Sequence, residues 1–503
     1  MKRLFRTFPF VAAMFLLMVL PSGAQQLSST QGGLSGVITD PTGAVVANAK
    51  VTVVGASDKR SVLSDDTGQF TIGSLTPGYY TVSVGLAGFK TAQAKQIEVV
   101  INRLSNVNLT LVPGAASETV EVVATAVQLD TSSTAVGSDL SISYFEQVPV
   151  ARTIGALFYT APGVADGGGT GNANPSIGGS TGLENQYVAD GVSIGDAGYG
   201  GLGVYSPSYG SLGTGINLTF IQEVQVKTGA FEPKYGKANG GIVQIVTKSG
   251  GSHFHGGVAG YFAPDGLSAT QAYSDTFRPG APLEGYRHGE VLSQPAYDGS
   301  VQLGGPIPIH KDRDHLFFFG SYNPTLNQVN YIAPNTSIAA ALFAHGPFTT
   351  SVLSNNWDGK LTYKIKEATT LDVSAFGDPS RSNYGLNGVF ADPAAYNPLV
   401  GINLRDTTSF SRWNYGSRSV IARLSSALNS TTELNISTSA KTSHFTESGF
   451  ANLYAITDKT SGSTGYQGLG EYQNPKTNDY AGSMDLQKTV KYLGSHTFSL
   501  GYS

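Results

Sequence analysis

From Gly250 onward, apolar and polar residues alternate with a period of two. Leu361, Tyr363 and Ile365 interleave with Thr362, Lys364 and Lys366; Leu371, Val373 and Ala375 with Asp372, Ser374 and Phe376; and Leu434, Ile436, Thr438 and Ala440 with Asn435, Ser437 and Ser439. A strand turns successive side chains to opposite faces, so each segment has one apolar and one polar face. Some pairs join through very short turns. Others join through long Gly/Asn/Pro/Tyr-rich stretches, such as 263–300 and 379–406. Short turns at one end and long loops at the other are the signature of a membrane barrel of antiparallel strands. Period-two alternation alone does not say which face meets lipid, so a soluble β-protein remains the alternative.

The N-terminus supports export. Lys2, Arg3 and Arg6 precede an apolar run from Phe8 to Leu20, and Ser22-Gly23-Ala24 supplies small residues for cleavage after Ala24. This reads as a secretory signal peptide over 1–24. The run is shorter than the roughly 20 residues a spanning helix needs, which argues against an uncleaved anchor. No later segment reaches that length free of charge or glycine, so any membrane span is expected to be β.

Composition narrows the function. Charged residues make up 13% of the chain, with 31 Lys+Arg against 35 Asp+Glu, a net charge of −4 and no Cys; about 25% charged is usual for soluble domains. There is no basic field for nucleic acid, no disulfide scaffold and no thiolate chemistry. His253 and His255 have chelating spacing on one strand face, but no carboxylate cluster adjoins them. No nucleophile–base motif is visible, so neither an enzyme nor a bound cofactor or metal is expected.

Residues 25–113 read as short strands punctuated by turns: Gly36–Thr39, Asp40-Pro41-Thr42-Gly43, Lys50–Val54, Asp65-Asp66-Thr67-Gly68-Gln69-Phe70, Leu75–Tyr80 and Thr81–Val84. This spacing predicts an antiparallel β-sandwich. The segment resembles the carboxypeptidase regulatory-like (transthyretin-like) domain, a carbohydrate-binding-like sandwich. The resemblance carries over no peptidase activity, since no His precedes His253. A spacer or docking role and a sugar-binding role, the latter motivated by Tyr79-Tyr80, both stay open.

A linker, 114–128, follows. Within it Glu118-Thr119-Val120-Glu121-Val122-Val123-Ala124 can extend as a strand and is expected to lack a partner inside the chain. Such a strand invites β-augmentation by another protein, although it could also be a last strand of the sandwich. It resembles the TonB box of outer-membrane receptors. Residues 129–249 then carry, in order, Pro162-Gly163-Val164, the Glu184-Asn185-Gln186-Tyr187-Val188-Ala189-Asp190-Gly191-Val192 strand and turn, Ile221–Val226, and Tyr235-Gly236 followed by Gly240-Gly241-Ile242 and Thr247-Lys248-Ser249-Gly250. This series resembles the α+β plug domain of TonB-dependent receptors, with Ile177 where the family often has Arg. Asp190 reads as a turn former. Gly240 and Gly241 read as positions of close backbone packing.

Phe254–Val258, Leu303–Ile307 and Leu316–Tyr322 resemble the first barrel strands of Oar-like receptors, with Phe317-Phe318-Phe319 expected in an interfacial aromatic girdle. The fold class is therefore mainly β: sandwich, plug, and a transmembrane antiparallel barrel from 250 to 503. The last segment leaves room for roughly a dozen strands at about 20 residues each. Plugged lumens belong to much larger barrels, so the barrel is expected to be incomplete in this chain. The resemblance implies an outer-membrane receptor that takes up a scarce ligand, with oligosaccharide, peptide or metal chelate all open. A periplasmic TonB-type partner would supply the energy. A barrel-anchored adhesion or assembly protein is the alternative.

Overall fold

The computed structural model describes residues 30–114, 119–121, 136–148, 151–167, 173–206, 210–231, 235–236, 238–264, 267, 275–276, 286–287, 290–308, 315–332, 348–384, 411–429, 431–449, 456–458, 464–467, 474–491 and 495–502. The expected signal segment lies outside the described residues.

The sandwich forms because its strands bury alternate residues. In Gln69–Leu75, Phe70 and Ile72 point inward while Gln69 and Thr71 stay exposed. They meet Leu34, Ile38, Val51, Val53, Val82 and Val84 in one apolar core. Two turns of the same design bound these strands, one after Gly32–Thr39 and one before Gln69–Leu75. Asp40 accepts from the Thr42 and Ala44 amides, and Asp65 accepts from the Thr67 and Gln69 amides. Gly43 and Gly68 supply the left-handed backbone that closes each turn. The pairing is not wholly antiparallel as expected: Leu104–Asn106 and Leu109–Thr110 run parallel to Gly32–Thr39.

The plug is a five-stranded sheet in the order Val136–Ser141, Ile221–Gly229, Ile242–Thr247, Gln186–Ala189, Val192–Ser193. Every residue of Ile242–Thr247 is buried, Gln244 and Thr247 included, as in a strand covered on both faces. A short helix, Ile154–Phe158, starts at Thr153, whose hydroxyl accepts from the Ala156 amide. The core under this sheet includes Phe319, Phe376 and Ile421 from the wall strands, so the plug is packed against the wall.

The wall is an 11-stranded antiparallel sheet. Its main path runs His255–Ala263, Ala296–Pro306, Leu316–Ile332, Phe348–Lys366, Thr369–Gly377, Ser411–Asn429, Thr432–Gly449, Lys476–Lys491, Ser495–Tyr502. Cross-strand register settles which face is which. Tyr261, Asp298, Thr325, Ser354, Ser380, Tyr415 and Phe445 lie opposite one another strand by strand, forming one row on the plug side. The opposite face exposes Leu361, Tyr363, Ile365, Val373 and Ile436. Apolar outside and polar inside is the membrane-barrel arrangement. Among the described residues no helix is long and apolar enough to cross a membrane.

One expectation about this wall is overturned. Phe317 and Phe319 are not girdle residues; both are buried on the plug side, and the Phe319 ring lies stacked 6.2 Å from Phe220 of the plug. The period of two sends only Phe318 of the triplet to the outer face.

Candidate functional site

Polar contacts seat the plug on the wall. Asp190 and Gly191 have left-handed backbones, φ 45° and 88°, and join Gln186–Ala189 to Val192–Ser193 in a tight turn. The turn-former reading holds but is incomplete. The buried Asp190 carboxylate accepts from Thr247 N (3.1 Å) and Oγ1 (2.6 Å) inside the plug. From the wall it accepts from Ser374 Oγ (2.9 Å) and faces Lys360 Nζ at 3.5 Å. Burial would push this carboxyl up, yet the Lys360 charge and the Thr247 donors leave it below the ordinary range. An isolated Asp-Gly pair gives no sign of these distant partners.

The remaining motif residues build the plug's interior. Asn185 donates to Pro175 O (2.7 Å) and accepts from Gly241 N (2.9 Å), and Tyr187 is buried beside it. Glu184 lends its carbonyl to the Asn239 and Gly240 amides and its carboxylate to Thr181 N. A side chain on Gly240 would strike Ser180 and Asn185, and one on Gly241 would strike Ile177. Gly241 thus makes room for the Ile that stands where an Arg was expected.

Above this sheet, on the side toward which the long connections lead, plug and wall line an open cavity of about 640 Å³, within the range of ligand sites. Arg152 and Asp298 meet across it at 2.7 Å, the guanidinium lying 3.6 Å over the Tyr261 ring. Asp378 of the wall accepts from Thr214 N (2.9 Å) and Gly215 N (2.8 Å) of the plug and from Ser417 N (2.8 Å). Asn217 bonds Asn323, and Thr219 bonds Ser321.

The sandwich docks on the opposite side. Ile101 N donates to both oxygens of the buried plug residue Glu223 at 3.2 Å, and Arg103 pairs with Asp139 at 3.3 Å. Lys364 of the wall faces Asp58 at 3.8 Å. Burial first, and then the Asp139 charge, push the Glu223 carboxyl well above its ordinary range. Tyr80 is buried and donates to Asp58, so of the Tyr79-Tyr80 pair only Tyr79 reaches the surface.

The strand Thr119–Glu121 corrects a second expectation. Thr119–Glu121 does have a partner: it pairs parallel with Thr91–Gln93 at the edge of the sandwich, and Glu121 faces Lys95 at 3.2 Å. The edge of Thr91–Val99 leaves backbone groups open to any strand, and sequence spacing does not reveal that register. Glu118, Val122, Val123 and Ala124 lie outside the described residues. His255, on the first wall strand, contacts the His253 carbonyl and lies against Phe319. Among the described residues no three His, Asp or Glu gather as a metal site would need.

Comparison with known proteins agrees with this architecture. Residues 33–112 match the carboxypeptidase regulatory-like domain. The chain is 29% identical over 358 residues to the TonB-dependent transporter Oar of Myxococcus xanthus, covering 67% of this chain and 32% of that protein. Its fold is similar to the outer membrane transporter YddB of Escherichia coli, with a TM-score of 0.54 at 14% identity, over 73% of this chain and 47% of that one. The ferric enterobactin receptor PfeA of Pseudomonas aeruginosa aligns over 73% of this chain and 48% of its own, with a TM-score of 0.48 at 14% identity. The chain therefore spans about a third of the curated relative and about half of the solved structures. It resembles TonB-dependent outer-membrane receptors, with an N-terminal carboxypeptidase regulatory-like domain.

Proposed function

We propose that this chain, with its sandwich, plug and wall arranged as in TonB-dependent receptors, takes up a scarce extracellular ligand across the outer membrane. It is exported by residues 1–24 and draws its energy from a periplasmic TonB-type partner. The observation that carries this reading is the plug's seating. The plug sheet is held on the wall by an aromatic contact at Phe220 together with hydrogen bonds and one buried ion pair, with a ligand-sized cavity on one side and the coupling segment on the other. Hydrogen bonds that can be exchanged for water contribute only about 1 kcal/mol each to holding the plug, so a mechanical pull can move part of it without unfolding the wall. A protein using the barrel only as an adhesion anchor would need neither the cavity nor the adjoining strand.

In this mechanism the partner pairs with residues 118–124 and pulls. Thr119–Glu121 already pairs with the sandwich edge, so the partner must first take it from there. Among the described residues three pair, in parallel, and the Lys95–Glu121 ion pair is exposed, so the exchange costs little. Val120→Pro removes a backbone donor and is expected to abolish uptake while ligand binding persists. Uptake by this variant at the unaltered rate would refute energy coupling through this strand.

A further inference from the structure

We infer that the cavity between plug and wall takes an uncharged, hydroxyl-rich ligand of the oligosaccharide class. The inference rests on the receptor reading above and deepens it by naming the ligand's chemistry.

The first reason is that the cavity's charges are already consumed. Its described lining holds three charged side chains, Arg152, Asp298 and Asp378. Arg152 is paired with Asp298 at 2.7 Å and covered on one side by Tyr261, while Asp298 also accepts from Asn323 Nδ2 at 2.6 Å. Asp378 accepts from three backbone amides and from Ser417 Oγ. No lysine lines the cavity among the described residues. Among these described lining residues a multiply charged anion would give up hydration without gaining an unpaired cation, a cost that grows steeply with charge.

The second reason is what remains available. Thr325 and Asn327 stand on the plug-side face of Leu316–Ile332, line the cavity, and make no side-chain hydrogen bond among the described residues. Ser354 and Asn356 continue the same surface on the neighbouring strand, Ser354 Oγ already accepting from Ser380 and Asn356 Nδ2 already donating to Asn323 O. Hydroxyl and amide groups both donate and accept, as sugar hydroxyls do, so a polyhydroxylated ligand can satisfy them in many orientations. Leu218 and Val352 beside them offer apolar patches for the C–H faces of a pyranose ring.

The test is isothermal titration of the full chain in detergent against maltoheptaose, cellohexaose, xylohexaose and a trianionic ferric tris-catecholate. The expected result is saturable binding of at least one neutral oligosaccharide, with an affinity unchanged between about 0.05 and about 0.5 M salt because no charge pairing is involved. Thr325→Ala and Asn327→Ala, each with unchanged circular dichroism, should weaken it about five- to tenfold, as loss of one or two hydrogen bonds does. Binding of the ferric chelate alone, weakening with salt, would overturn the ligand class and leave the receptor reading standing. No binding of any probe by folded protein would also overturn the class. The receptor reading is then judged separately, by whether Val120→Pro abolishes uptake.

Discussion

Lys360, on the wall strand Phe348–Lys366, places its ammonium 3.5 Å from the carboxylate of Asp190 in the plug, and both side chains are almost wholly buried. The same ammonium lies 3.0 Å from Thr247 Oγ1. One wall cation therefore holds the turn and the last strand of the plug together.

Removing only one member of that pair leaves a buried charge without its counterion. Asp190→Asn is expected to destabilise the seated plug by about 3–5 kcal/mol. Asp190→Asn combined with Lys360→Met should recover most of the loss, since an apolar replacement no longer needs pairing. Thermal unfolding of the three proteins checks this; equal midpoints for the single and double variants would show that the pair is not coupled.

Docking of the sandwich on the plug should depend on pH through Glu223. Its carboxyl is held well above its ordinary 4.5, by burial first and then by Asp139. The docked state thus binds the proton more tightly than the undocked state. Docking is at full strength below about 4.5 and weakens as pH rises from there through the higher docked-state value. The rate of limited proteolysis between sandwich and plug should increase over that window, and Glu223→Gln should flatten the profile. A wild-type profile that is already flat would rule out Glu223 as the titrating group.

Gly241 is a packing requirement with a named neighbour. Gly241→Ala drives the new methyl into Ile177 and should cost about 1–3 kcal/mol, as overpacking does. Ile177→Ala in the same chain removes the nearest atom and should restore part of it. Chemical denaturation of both variants measures the coupling, and additive losses would contradict the contact.

The sandwich edge offers a reversible lock on the coupling strand. Gln93 and Glu121 are directly paired in the register, and the chain has no cysteine. A Gln93→Cys, Glu121→Cys protein therefore carries only the two introduced thiols. Oxidised, it should bind the periplasmic domain of a TonB-type partner at least about tenfold more weakly than after reduction, because β-augmentation needs the strand's own backbone groups. Equal binding in both states would mean the strand need not leave the sandwich.

Much of the architecture was legible from local pattern because it is written in local chemistry. Period two in residues 361–376 and 434–440 set the two faces of the wall, and the Asp40 and Asp65 turns marked a strand end and a strand start in the sandwich. Gly240 and Gly241 marked close packing just ahead of the strand Ile242–Thr247. Each follows from backbone geometry and needs no knowledge of distant neighbours. Partnership across the chain was not legible. Asp190 carried a turn signal in the sequence, but its link to Lys360 and Ser374 exists only because the plug sits against that wall. Phe317 and Phe319 looked like membrane anchors until register turned them toward Phe220. Thr119–Glu121 looked unpartnered until the sandwich presented an open edge. Alternation along one strand fixes that a residue faces one side or the other; which groups wait on that side depends on partners distant in the chain, as far as the 184 residues between Asp190 and Ser374, and these only tertiary packing decides.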